Sequence, residues 1–415
     1  MTPQPESNGT VRLASNGTHP GGHARATKFK LPKITVWRAI FAAIMLSGLF
    51  ATYLRVFYGL GGSTNLSDKF PWGIWIAFDV MCGVGLAAGG FTLVAIVHIF
   101  RIERYKPILR PAILTAFLGY SLVVVGLLYD LGRPDRLWHP LVMWNPHSVM
   151  FEVAWCVTLY TTVLFLEFLP VVFEKFGMHK PQEWIHRISV PLMILGVLLS
   201  TLHQSSLGTL FLIVPEKLYP LWYTPILPLL FYVSAIAVGL AMTIFESWHS
   251  SRAFGRALEL PLLASLARVL AVVLSVYLWV RFLDMSHRHV FGLLSQNRIE
   301  TWLFALEIAL MVVPTVLLYQ SSIRLRPGAL YACAVMVVFG FIANRLNVGT
   351  TGLEAGSGTH YIPKWSEVAV TLSIVAAGFA IFRMIAQYFP IFEAHTHEQA
   401  LAEMEESEED PVTVG

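Results

Sequence analysis

The chain has 415 residues, 55% hydrophobic and only 13% charged, with a mean hydropathy of +0.62. Soluble domains carry about 25% charged residues, so a soluble enzyme of two or three domains is excluded, and a formal net charge of +3 is too small to mark a nucleic-acid partner. Cys82, Cys156 and Cys333 are far apart with no CxxC spacing, which excludes a disulfide scaffold, a legible zinc site and an iron–sulfur cluster held by this chain alone.

What remains is an all-α polytopic membrane protein. Residues 1–35 are rich in Gly, Ser, Thr and Asn and read as a flexible tail without a cleaved signal peptide. Ten segments are then long and apolar enough to span a bilayer core of roughly 30 Å: 36–58, 71–99, 112–130, 148–172, 188–207, 223–246, 260–283, 299–319, 328–345 and 364–387. The loops between them are short, so 36–390 reads as one transmembrane domain, followed by an acidic tail over 391–415. With the N-terminus inside, the inner segments hold 16 Lys and Arg and the outer loops 6. That bias, with an even number of spans, predicts both termini in the cytoplasm.

Ionisable side chains in mid-membrane are expensive, so each one invites a functional reading. On the second span, Asp79 lies eight residues in from Pro71, with Trp72, Trp75 and Gly83 on one helical face. Gly85 and Gly89 beyond it make a GxxxG packing signal. An alternative for Asp79 is a structural partner such as Arg55. On the fourth span, Ser148, Glu152, Trp155 and Thr162 fall near one stripe, with Glu152 close to the outer end. On the fifth, Gly196, Ser200 and His203 share a face, Gln204 adjoins, and His203 is about four residues from the outer end. Two acids and a histidine therefore converge on one outer depth. The competing readings are interfacial snorkelling for Glu152 and helix packing for His203. Glu167, Glu246 and His98 sit towards inner span ends and read either as a cytoplasmic proton entry or as ordinary interfacial residues, and Glu307 is expected to pair with Arg268 or Arg281 or to serve a second, inactive cavity.

Quinone chemistry suits such a set without a metal. Reduction of a quinone by two electrons takes two protons, delivered by groups whose proton affinity is tuned by burial. Trp72, Trp75 and Trp155 with small residues would line a flat apolar slot for the ring and its isoprenoid tail, with Gln204 beside it. Haem is disfavoured, because His98 and His186 are inner, His203 is outer, and no helix supplies both levels.

Three stretches carry a resemblance: GLGGSTNLSDKFPWGIWIAFDVMCGVGLAAGG (Gly59–Gly90), YDLGRPDRLWHPLVMWNPHSVMFEVAW (Tyr129–Trp155) and HQSSLGTLFLIVPEKLYPLWYTPILPLLF (His203–Phe231). They resemble the integral membrane subunits of the NrfD/polysulfide-reductase family, and within it the HybB-like branch found with hydrogenase 2-type nickel–iron hydrogenases. The resemblance implies two four-helix bundles plus extra helices in a bacterial inner membrane. It implies a menaquinone or ubiquinone site near the periplasmic side of the first bundle, no haem or iron–sulfur cluster in this chain, and a periplasmic ferredoxin-like iron–sulfur partner joined to hydrogenase small and large subunits. The family's acids and histidine match Asp79, Glu152 and His203. The competing classes are a secondary transporter or ion translocator, for which buried acids also suit, and a pure membrane anchor.

Overall fold

The computed structural model describes residues 35–213 and 217–392. The tails expected over 1–35 and 391–415 lie almost wholly outside the described residues. Residues up to Ile40 and those from Phe41 onward are separate compact units, and of the first only the opening turn of a helix is described.

Ten helices among the described residues are long and apolar enough to cross a membrane. They are α1 (Val36–Ser63), α2 (Trp75–Ile99), α3 (Glu103–Asp130), α4 (Val149–Lys175), α5 (His179–Leu210), α6 (Leu227–Phe254), α7 (Leu260–His287), α8 (Ile299–Tyr319), α9 (Pro327–Ser357) and α10 (Trp365–Tyr388). With no β-strand element among the described residues, this is an all-α integral multi-pass membrane protein. Each expected span is met by a helix, but most run further than their apolar windows, three of them furthest. Helix α3 begins at Glu103, α5 at His179, and α9 continues to Ser357 through a wide π turn at Asn347–Thr351. Hydropathy ends where polar side chains begin, whereas a helix ends where its backbone bonds end. In α9 the polar run Asn344, Arg345 and Asn347 is buried and hydrogen-bonded, so the helix passes straight through it.

Helices α2–α5 pack in sequence, with α5 returning to α2, and α6–α9 close a second ring in the same way. These are the two four-helix bundles. Helix α2 joins them, because it also packs on α6 and α9. The α2–α6 crossing is close enough to require glycine: a Cβ on Gly239 would lie 2.7 Å from backbone atoms of Ala88 and Gly89. The GxxxG segment is thus a packing device, as its pattern suggests. Helix α10 packs on α3 and on the start of α2. Its first turn is tied down by Glu367, whose carboxylate accepts from the backbone N–H of Lys364 (2.8 Å) and Asn65 (3.0 Å) and from the Tyr361 hydroxyl (2.5 Å). Ser366 adds a hydrogen bond to the Ser63 carbonyl.

Helix α2 is irregular in ways its sequence explains. It opens in a π turn at Trp75–Val80, has a second at Ala95–Ile99, and breaks at Ala87–Ala88 within the glycine-rich run. At the break the Ala88 N–H bonds the Gly85 carbonyl at 2.9 Å instead of reaching Val84. The Val84 carbonyl is left over, and a side chain from another helix takes it.

Candidate functional site

That side chain is Gln204 on α5, whose Nε2 donates to the Val84 carbonyl at 3.1 Å. One residue earlier, His203 Nδ1 and the Tyr120 hydroxyl of α3 are 2.9 Å apart. Both α5 side chains are completely buried. On the next turn Ser206 donates to Glu152 Oε1 of α4 at 2.5 Å. Glu152 is exposed rather than buried, so it forms the open edge of the group while His203 and Gln204 form its sealed interior. His203 Nε2 and Gln204 Oε1 find no protein partner. A buried polar atom left unpaired costs about 1–3 kcal/mol, so such atoms in a protein interior are ordinarily met by water or a ligand.

The face shared by Gly196, Ser200 and His203 is buried along its length. His203 lies seven residues before the end of α5 at Leu210, about 10 Å in, and so deeper than a span ending at 207 suggests. The α4 stripe differs from expectation. Trp155 turns to the loop before α4 and donates to the Pro140 carbonyl at 2.8 Å, with Trp144 at a ring separation of 5.0 Å. Thr162 is exposed and bonds back to its own helix. The α4 face turned inward instead carries Cys156, Tyr160 and Val163, between Glu152 and Glu167. Their spacing of i, i+4, i+8, i+11, i+15 from Glu152 is helical and was legible; Ser206 extends the His203 stripe at i+3 in the same way. Tyr120 had no such signal, because it lies on a third helix.

Asp79 lies in a different group. Its Oδ2 accepts from Thr371 of α10 at 2.7 Å, and a Cβ on Gly126 of α3 would come within 2.8 Å of its Cβ. Trp75 shares this surroundings: its indole donates to the Glu367 carbonyl at 3.1 Å and its ring packs on Tyr129. Among the described residues no hydrogen bond or ion pair joins Asp79 to Glu152 or His203. Gly126 and Tyr120 are six residues apart on α3, about 120° around the helix, so α3 presents one face to Asp79 and another to His203. The start of α2 at Trp75 also puts Asp79 four residues into its helix rather than eight. Trp72 precedes the helix and meets Phe211, at the end of α5, edge-on at 5.9 Å. Arg55 does not hold Asp79; it donates to the carbonyls of Tyr129 (2.7 Å) and Leu131 (2.5 Å) and so caps the end of α3.

In the second bundle Glu307 accepts from Trp222 Nε1 (2.9 Å), Asn344 Nδ2 (2.7 Å) and Asn347 Nδ2 (2.9 Å). The expected partners Arg268 and Arg281 are not among its bonds. Arg345 lies nearby with its guanidinium 3.6 Å from the Phe231 ring centre and 4.3 Å from that of Phe341, bonded to Ser234 and Asn344.

The polysulphide reductase NrfD family matches residues 62–354 of this chain. A Nitratidesulfovibrio vulgaris (strain Hildenborough) protein is 37% identical over 384 residues, 90% of this chain and 98% of the relative. The probable Ni/Fe-hydrogenase 2 b-type cytochrome subunit of Escherichia coli K12 is 31% identical over 358 residues, covering 85% of this chain and 91% of that protein. The integral membrane subunit of menaquinone reductase from the same N. vulgaris strain is 28% identical over 392 residues, covering 87% and 93%.

Proposed function

The chain belongs to the polysulphide reductase NrfD family, and from that premise we propose that it is the quinone-reactive membrane subunit of a respiratory oxidoreductase. The observation that carries this reading is the pair of buried, unpartnered atoms His203 Nε2 and Gln204 Oε1 beside the exposed carboxylate of Glu152. His203 Nε2 suits a carbonyl of the quinone, Gln204 Oε1 accepts from a hydroxyl of the quinol, and Glu152, steadied by Ser206, exchanges protons with the ring from the open edge. His203 and Gln204 have no exposed surface, so the ring reaches them when neighbouring side chains part. Asp79 acts from the far face of α3, with Trp75 as its wall; Trp72 and Trp155 border the entrance. The substrate is menaquinone or ubiquinone, and the menaquinone reductase relative favours the first.

In this reading electrons pass between the quinone pool and a periplasmic ferredoxin-like iron–sulfur protein, itself joined to the small and large subunits of a nickel–iron hydrogenase, as the E. coli relative suggests. The membrane is the bacterial inner membrane, with both termini in the cytoplasm, a placement that the Lys and Arg bias supports. The test is Glu152→Gln in the intact complex. Quinone-linked turnover falls at least a hundredfold, the range of a lost general acid–base group, while artificial-dye activity survives. Wild-type quinone turnover in the variant overturns the role of Glu152.

The E. coli relative, a probable b-type cytochrome subunit, favours a second reading, haem b. Transmembrane haem takes axial ligands from buried side chains, and His203 is the one buried histidine among the described residues. A dithionite-reduced spectrum of the purified complex with no haem b band other than those of partner subunits supports the quinone-only site; a band from this chain overturns it.

A further inference from the structure

The loop between α3 and α4 exposes apolar side chains where a loop in water would not. Trp138, Leu141, Val142, Met143 and Trp144 are all exposed, Val142 at 67% and Trp144 at 68%. A contiguous apolar patch of this kind marks contact with another surface. Contacts with α4 fix how deep the loop sits. The Pro140 carbonyl accepts from the Trp155 indole at 2.8 Å, and the Trp144 ring centre lies 5.0 Å from that of Trp155 and 5.8 Å from that of Phe151. Trp155 is six residues past the start of α4 at Val149, about 9 Å along the helix axis. Helical side chains lean towards the N-terminus, which takes up part of that depth. The stretch from Pro140 to Trp144 therefore folds back beside the first two turns of a membrane-spanning helix instead of standing clear of it.

We propose that residues 138–144 form an interfacial segment embedded in the bilayer, at the boundary of headgroups and acyl chains in the leaflet where α3 ends and α4 begins. The partner of this face is phospholipid. Its apolar surface continues into the lipid-facing side of α4: Phe151, Trp155 and Leu159 recur every four residues, and Leu159, one turn further in, is exposed on a span-length helix. Polar groups in the segment are met from within, as contact with lipid requires. The Trp144 indole donates to the Leu141 carbonyl at 3.2 Å, the N–H groups of Leu141 and Met143 bond the carbonyls of Trp138 and His139, and Pro140 has no N–H to satisfy. Charge is kept to the ends. Arg133, Asp135 and Arg136 precede the segment and His147 follows it, all exposed, where they meet phosphate groups and water. Indole rings collect at that same boundary in membrane proteins. Nothing here depends on what His203 binds, so this reading and the quinone reading fail separately.

Two measurements on the intact complex in phospholipid vesicles test it. In the first, nitroxide labels at Val142→Cys and Met143→Cys are compared with one at Arg136→Cys. The native Cys82, Cys156 and Cys333 are buried, and the unmutated complex supplies the background signal. Power saturation reads collisions with molecular oxygen, which concentrates among acyl chains, and with a nickel chelate that stays in water. Expected is oxygen ahead of nickel at 142 and 143, with the order reversed at 136. Nickel ahead of oxygen at 142 and 143 places the segment in water, and labels shielded from both reagents place it under a protein; either result overturns the proposal. The second measurement needs no variant. A phospholipid carrying a photoactivated carbene precursor near the top of its acyl chain is built into the vesicles, and the modified residues of the wild-type complex are mapped by mass spectrometry, with Leu159 as the reference. Modification within residues 138–144 supports the proposal, and an unmodified segment overturns it.

Discussion

Each bundle buries a polar group in its core, and the two are treated in opposite ways. Around Glu307 the second bundle supplies three donors to one carboxylate and stacks the neighbouring Arg345 against two aromatic faces. Around His203 the first bundle leaves polar atoms unanswered and places an exposed carboxylate beside them. A carboxylate met by three donors ties helices together, although Arg345 Nε and Arg281 Nε beside it stay unpartnered. An unsaturated network is less stable than it needs to be, and that deficit is what a ligand or a mobile proton can use. The bundles are alike in helix number and packing, so the difference lies in side-chain satisfaction rather than in fold.

The comparison breaks most visibly at Glu307. Glu307→Ala leaves three buried donors without an acceptor, which at roughly 1 kcal/mol each costs about 3 kcal/mol. Thermal unfolding in detergent registers this as a large drop, while the protein that does fold keeps its quinone-linked rate per molecule. An equally stable Glu307→Ala would mean that the second network is not structural. Tyr120→Phe has the reverse signature: quinone-linked turnover falls about tenfold as His203 Nδ1 loses its partner, equivalent to about 1.4 kcal/mol in the barrier, with little change in unfolding temperature. Ser206→Ala removes one hydrogen bond to Glu152 and lowers turnover by roughly threefold to tenfold, in line with about 1 kcal/mol for such a bond. Trp155→Phe keeps the ring but drops the bond to the Pro140 carbonyl. The expected loss is below about 1 kcal/mol, read as a slightly higher KM for a long-tailed quinone and none for a short-chain one. A Trp155→Phe enzyme with an unaltered KM for both would remove Trp155 from the entrance.

Much of the molecule was legible before its structure. Ten spans followed from hydropathy because each helix must bury or present an apolar length to lipid, and only their ends were misjudged, at polar runs such as Asn344–Asn347 that are satisfied inside the protein. The α5 stripe of Gly196, Ser200 and His203 was readable because one regular helix preserves sequence spacing. The relation of Asp79 to Glu152 was not. Depth along a helix can be counted from the sequence, but which face meets which neighbour depends on rotation, and the interposed α3 separates the two acids. Arg55 was misplaced for a similar reason: the carbonyls it caps are backbone groups, which leave no mark in a sequence. Tyr120, Tyr160 and Ser206 were overlooked because a single hydroxyl in an apolar span is ordinary until several are found facing one another.

The wide turn at Trp75–Val80 bears on how this chain can change in length. A π turn accommodates one residue more than an ordinary helical turn. Removal of a single residue from that segment lets the backbone close into regular helix while the rest of α2 keeps its rotation, so Gly89 still meets Gly239 and the two bundles stay joined. The same deletion between Met81 and Leu86 turns everything beyond it by about 100° and pulls the glycines off their crossing. Codon loss in α2 is therefore tolerable at its two π turns, and in the one that carries Trp75 and Asp79 its effect is to re-aim the acid and leave the scaffold standing.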